Sequence, residues 1–174
     1  MIIRRTIARI ALASACLVAL PAAQNETSRF EDRLLDTHNR ERAAVGSHHL
    51  VWDKTLARDA ERWAQHLAAT KSFKHAPRRS NEALFGENIW GGTTDRFTPE
   101  HMVGRWIEEK AYFRSGAFPN NSVTGDVSDV GHYTQVVWRE TRRVGCGLSR
   151  NEQRDILVCR YSSPGNIIGQ KPMS

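Results

Sequence analysis

The apolar residues of this chain recur at helical spacing in three stretches. Phe30, Leu34, Leu35 and His38 recur at helical spacing, and Ser28-Arg29-Phe30-Glu31 reads as a capping box. A first helix is therefore expected from there to about Val45, stopped by Gly46 and Ser47. Asp53 caps a second, whose Leu56, Ala60, Trp63, Ala64 and Leu67 form one stripe, with Trp63 expected in the core. Thr98-Pro99-Glu100 starts a third: Thr at the N-cap, Pro at the first helical position, an acid in the first turn. Met102, Val103, Trp106 and Ile107 form its inner face, with Trp106 buried. Between the second and third helices, Lys71 to Thr94 lose all periodicity and are punctuated by Pro77, Gly86, Gly91 and Gly92, which reads as a loop. Residues 114–130 read as a second loop. His132 to Trp138 are rich in β-formers and are expected as a strand. Val144–Leu148 and Ile156–Tyr161 flank a polar turn and form a hairpin. Helices first and antiparallel strands later is the α+β order.

The N-terminal segment follows another logic. Arg4, Arg5 and Arg9 precede an uncharged run from Ile10 to Ala23, closed by Leu20-Pro21-Ala22-Ala23. Those are the parts of a secretory signal peptide, so residues 1–23 are expected to be removed, leaving 24–174 as one domain. The run is shorter than the roughly 18 apolar residues a membrane span needs, and no transmembrane segment is expected. Export predicts an extracellular or periplasmic location.

Removal of the leader changes the charge. The whole chain carries +6. Arg4, Arg5 and Arg9 leave and no acid does, so +3 remains, spread without a basic stripe. No nucleic-acid partner is expected. Cys16 leaves too. Cys146 and Cys159 lie equally far from the middle of the hairpin turn, so in a regular hairpin they stand opposite each other and form a disulfide.

General catalytic patterns are missing: the chain has no HExxH, GxSxG, paired CxxC or Walker loop. Its histidines are scattered, and spacing alone singles out none of them. The string Gly131-His132-Tyr133-Thr134-Gln135-Val136-Val137-Trp138, however, closely resembles a signature of the CAP superfamily, the SCP domain of cysteine-rich secretory proteins, antigen 5 and plant pathogenesis-related class 1 proteins. Val158 to Asn166 resembles that family's second signature. His38-Asn39 with Arg42, Gly86-Glu87-Asn88-Ile89-Trp90, and Trp106 followed by Glu109 occur in the family's order. The resemblance spans about residues 30–170.

The resemblance implies an α-β-α sandwich with a central antiparallel sheet between helical layers. It also implies a cleft tetrad of two His and two acids, which match His75, Glu87, Glu109 and His132 by position. Two imidazoles and two carboxylates suit Zn²⁺ or another divalent metal, with the imidazoles as direct ligands and the carboxylates behind them or bridging through water. The leading expectation is a secreted binding protein, a monomer, with a metal cleft and a lipid, sterol or protein ligand. The alternative is a metal-dependent hydrolase or protease, with Glu87 or Glu109 as base. The chain departs from plant members, which usually carry six Cys including one where Val130 or Gly131 stands. It also lacks the C-terminal hinge domain of the venom and reproductive proteins.

Overall fold

The computed structural model describes residues 20–77 and 85–173. Most of the expected signal peptide lies outside them. Among the described residues, four α-helices and four strands follow in the order α1 (Leu20–Ala44), β1 (Val51–Trp52), α2 (Lys54–Thr70), β2 (Gly86–Thr93), α3 (Pro99–Glu108), α4 (Gly131–Val137), β3 (Arg143–Arg150) and β4 (Arg154–Ser162). The sheet runs β1-β3-β4-β2. The three long strands are antiparallel, while β1 pairs parallel with β3 at one edge, so the sheet is mixed. Among the described residues, no helix is long and apolar enough to cross a membrane.

Strand alternation divides the core in two. On β4, Leu157, Cys159 and Tyr161 face α1, α3 and α4, in a cluster with Leu34, Met102, Val103, Trp106, Tyr133 and Val136. Ile156 and Val158 face the other way, against Ala60, Ala64, Leu67 and Ala68 of α2. This is the α-β-α sandwich. The layer on the α2 side is thin because β3 brings Gly145 and Gly147 beneath the helix. A Cβ at Gly145 would run into the backbone of Asp53 and Ala57, and one at Gly147 into that of Glu61.

The caps of α2 and α3 follow the sequence reading. Asp53 accepts from Thr55 and Leu56, and Thr98 accepts from His101, with Pro99 opening the helix. Other expectations need correction. The α1 helix starts at Leu20, so the Ser28 box lies inside it: Ala22, Ala23, Gln24 and Glu26 are good helix formers that carry the turn backward. Gly86–Thr93 is a strand, not loop. His132 to Val137 lie in a helix, not a strand. Trp63 is only half-buried: its indole stacks on His66 and donates to the Lys74 carbonyl, on the flank of the stripe.

The hairpin sets Cys146 directly opposite Cys159, and they are bonded. Closing a loop of this size is worth about 3 kcal/mol in the chain-entropy model. Cys146→Ala with Cys159→Ala should lower the chemical-denaturation free energy by about that amount without changing the circular-dichroism spectrum. Unchanged stability would show that the hairpin needs no cross-link.

Candidate functional site

The four tetrad residues come from four separate places. His75 lies on the segment after α2. Glu87 is the second residue of β2, and Glu109 opens the 3-10 turn Glu109–Tyr112 after α3. His132 is in the first turn of α4. The structure joins them two and two, and each pair is built alike. Glu87 Oε1 accepts from His75 Nδ1 at 2.9 Å and from the Ala76 amide at 3.0 Å. Glu109 Oε1 accepts from His132 Nδ1 at 2.5 Å, while its Oε2 takes the His132 and Tyr133 amides at 2.9 and 3.1 Å. Because α4 has no capping side chain of its own, Glu109 caps it from outside.

An ionised carboxylate only accepts, so in the neutral form of each imidazole Nδ1 carries the proton and Nε2 the lone pair. Neither Nε2 has a hydrogen-bond partner among the described residues. That is the tautomer in which imidazole binds a metal, with a carboxylate orienting the ring from behind. His75 is well exposed and His132 a third exposed, whereas Glu87 and Glu109 are largely covered.

Consecutive residues of β2 connect the pairs. Glu87 holds His75, while the Asn88 amide donates to the His132 carbonyl at 3.1 Å. Side chains alternate along a strand, so Glu87 and Asn88 leave edge strand β2 on opposite faces. Among the described residues, no three of His, Cys, Asp and Glu gather as a metal shell.

A buried layer that sequence reasoning missed supports His132. Trp106 lies parallel to the His132 ring, 6.2 Å between centroids, and donates to the Ile89 carbonyl. Behind it runs a proton-ordered chain. His38 Nδ1 meets the Leu34 carbonyl at 2.8 Å, an acceptor, so Nδ1 donates and Nε2 accepts from the Tyr161 hydroxyl at 2.9 Å. Tyr161 Oη in turn accepts from Asn88. His38 and Arg42 were visible in the sequence only as helix residues of a family pattern. Arg42 is fully buried and donates to the carbonyls of His48, Val136, Trp138 and Thr141, at 2.6 to 2.9 Å. Burial pushes its pKa down to about 10, so it stays charged at neutral pH. From the other side Asn166 bridges the Gly131 carbonyl and the Thr134 hydroxyl, and Gln135 accepts from the Gly165 amide. The second sequence signature thus clamps the helix that carries the first.

His38 makes the fold sensitive to acid. Burial, helped by the nearby Arg42 charge, pushes its pKa down to about 4, against the pull of the Leu34 carbonyl. An unfolded chain takes up this proton near the ordinary histidine value, before the folded chain does. The stabilisation is therefore full above about pH 6.5, falls as pH drops toward 4, and is worth about 3 kcal/mol. Urea titrations at pH 7 and pH 4 should show this loss in the parent and a flatter profile in His38→Gln. Equal pH dependence in the two proteins would remove His38 as the cause.

A separate cleft of about 440 Å³ opens beside α1, lined by Arg33, Asp36, Asn39, Arg40, Ala43, His49 and Glu100. The Arg33–Glu100 ion pair closes one side of it and pulls the Glu100 carboxyl down to about 2. None of the tetrad residues lines it.

The sequence and fold match a known family. The family model of the cysteine-rich secretory protein family, CAP, matches residues 35–161. Pathogenesis-related protein 1B of Nicotiana tabacum is 39% identical over 151 residues, which cover 86% of this chain and 82% of that protein. Pathogenesis-related protein PR-1 of Medicago truncatula is 33% identical over 156 residues, 88% of this chain and 85% of that one. Among solved structures, BmVAL-1 superposes with a TM-score of 0.69 at 22% identity, over 84% of this chain and 82% of that chain. NaASP2, solved with Zn²⁺, gives 0.66 at 23% identity, over 82% and 84%. The chain belongs to the CAP family, and the two relatives named above are pathogenesis-related proteins.

Proposed function

We propose that this chain is an exported CAP-family binding protein that takes a divalent cation, Zn²⁺ in the first instance, through the Nε2 atoms of His75 and His132. The observation that carries the reading is the identical construction of the two pairs. In each, a glutamate anchored to backbone amides fixes the Nδ1–H tautomer and leaves Nε2 bare. The residues fit the ion: neutral imidazole nitrogen is a preferred zinc donor, and a covered carboxylate behind it raises its basicity. A bound divalent ion would supply a Lewis-acidic centre with open positions. The NaASP2 structure was solved with Zn²⁺, and its fold likeness to this chain lends support.

Binding fits better than turnover. Glu109 already serves three donors, and Glu87 serves an imidazole and an amide, so neither stands ready as a base. Export rests on the N-terminal leader pattern, and a lipid, sterol or protein is the class of ligand expected for the domain.

Calorimetry with Zn²⁺ tests the site. His75→Ala with His132→Ala should abolish the heat of binding while circular dichroism stays that of the parent. Affinity in the parent should fall with pH as the imidazoles gain protons that compete with the metal. Undiminished Zn²⁺ binding by the double variant would return the tetrad to a hydrogen-bonded brace between two segments and α4.

A further inference from the structure

A third charged group stands behind the His75–Glu87 pair. Antiparallel pairing of β2 with β4 sets Arg160 directly opposite Glu87, which puts both side chains on one face. Arg160 Nε lies 3.4 Å from Glu87 Oε2, with side-chain exposures of only 11% and 6%. Among the described residues, neither atom has a hydrogen-bond partner. The two are close enough to attract but are not locked together. The guanidinium is held from its other side, its central carbon 4.0 Å from the centre of the Phe85 ring. The second pair has no such neighbour: among the described residues no Lys or Arg pairs with Glu109, and Lys110 beside it reaches Glu41 instead.

We propose that Arg160 is a built-in cation that weakens divalent-metal binding at His75 and leaves His132 the stronger ligand of the two. The inference rests on the metal reading above. With both imidazoles neutral, the two glutamates give the four residues a formal charge of −2, and Arg160 reduces it to −1. An arginine cannot escape the repulsion by shedding its proton, as lysine or histidine could. Nor does salt screen a covered charge well. A unit positive charge behind Glu87 repels a divalent ion held at His75 and draws on the carboxylate's charge, which lowers affinity by roughly severalfold even at the dielectric of water. Arg160 would thus set the metal threshold of the domain.

Zn²⁺ calorimetry on Arg160→Met and Arg160→Lys, beside the parent and the double His variant, tests this. Methionine keeps bulk against Phe85 without charge and should tighten binding about severalfold. Lysine, charged but able to shed its proton, should fall between the parent and methionine. His132→Ala should weaken binding more than His75→Ala. Parental affinity in Arg160→Met overturns the proposal, and weaker binding overturns it too, by making Arg160 a support for Glu87. Loss of binding in the double His variant keeps the metal site itself separate from either result; if that variant binds like the parent, the underlying reading fails first. Should Arg160→Met not fold, the parent still decides. The Arg160 Nε–H resonance should move when Zn²⁺ is added, and a resonance that stays fixed overturns the proposal.

Discussion

Arg42→Met is expected to cost about 3–5 kcal/mol of folding stability. The guanidinium reaches four carbonyls, and methionine fills part of its volume while reaching none. Two of those acceptors, Val136 and Trp138, lie at the end of α4, and Thr141 lies in the turn beyond. The fourth, His48, belongs to the segment joining α1 to β1. Buried carbonyls deprived of their donor cost about 1–3 kcal/mol each, reduced where water or relaxation supplies a substitute. Lysine keeps the charge but not the planar fork, so Arg42→Lys should fall between parent and Met. Chemical denaturation of the three proteins gives the ranking. A loss below 1 kcal/mol in Arg42→Met would mean that α4 is held by its apolar face alone.

The second large effect belongs to Trp106. It is 3% exposed in the larger core cluster, tilted against His38 at 6.1 Å and stacked on His132. Trp106→Ala should cost about 3–5 kcal/mol, the usual penalty for deleting a large core aromatic. It should also weaken Zn²⁺ binding, because the wall that keeps the His132 ring in plane is gone. Trp106→Phe should recover most of the stability and most of the affinity. Denaturation and calorimetry on the same samples separate the two consequences. Full Zn²⁺ affinity in a destabilised Trp106→Ala would show that Glu109 orients His132 unaided.

The contrast between β2 and the hairpin explains which parts of the fold were legible. The hairpin announces itself through two apolar runs and a polar turn, and its symmetry located the disulfide. In β2 the same backbone pairing is disguised by Gly86, Gly91 and Gly92, residues that disfavour strands. The space left by the missing side chains is used by neighbours: a Cβ at Gly91 would meet Phe73, one at Gly92 would meet Trp90 and Phe97, and one at Gly86 would meet Gln135. Local propensity misled in the opposite direction at α4. Tyr133, Thr134, Val136 and Val137 prefer strands, yet Glu109, Asn166 and Arg42 grip the segment at both ends and impose a helix. At the site, the four tetrad residues were assigned through family resemblance. Their two-by-two pairing, the shared Nδ1 tautomer and the position of Arg160 depend on contacts between residues far apart in the chain, which no local pattern encodes.

The brevity of α4 has a consequence for the order in which the site assembles. A helix of seven residues does not persist alone in water, because too few hydrogen bonds follow its costly nucleus. Its grip comes from Arg42 near one end of the chain and Asn166 near the other. Such distant contacts close late, since the entropy of the intervening loops must be overcome first. His132 and Glu109 therefore meet only once both ends have folded onto the middle. A chain still being synthesised, or stalled partly folded, carries the same histidines without their paired glutamates in place. Metal capture by this architecture would report that folding is complete.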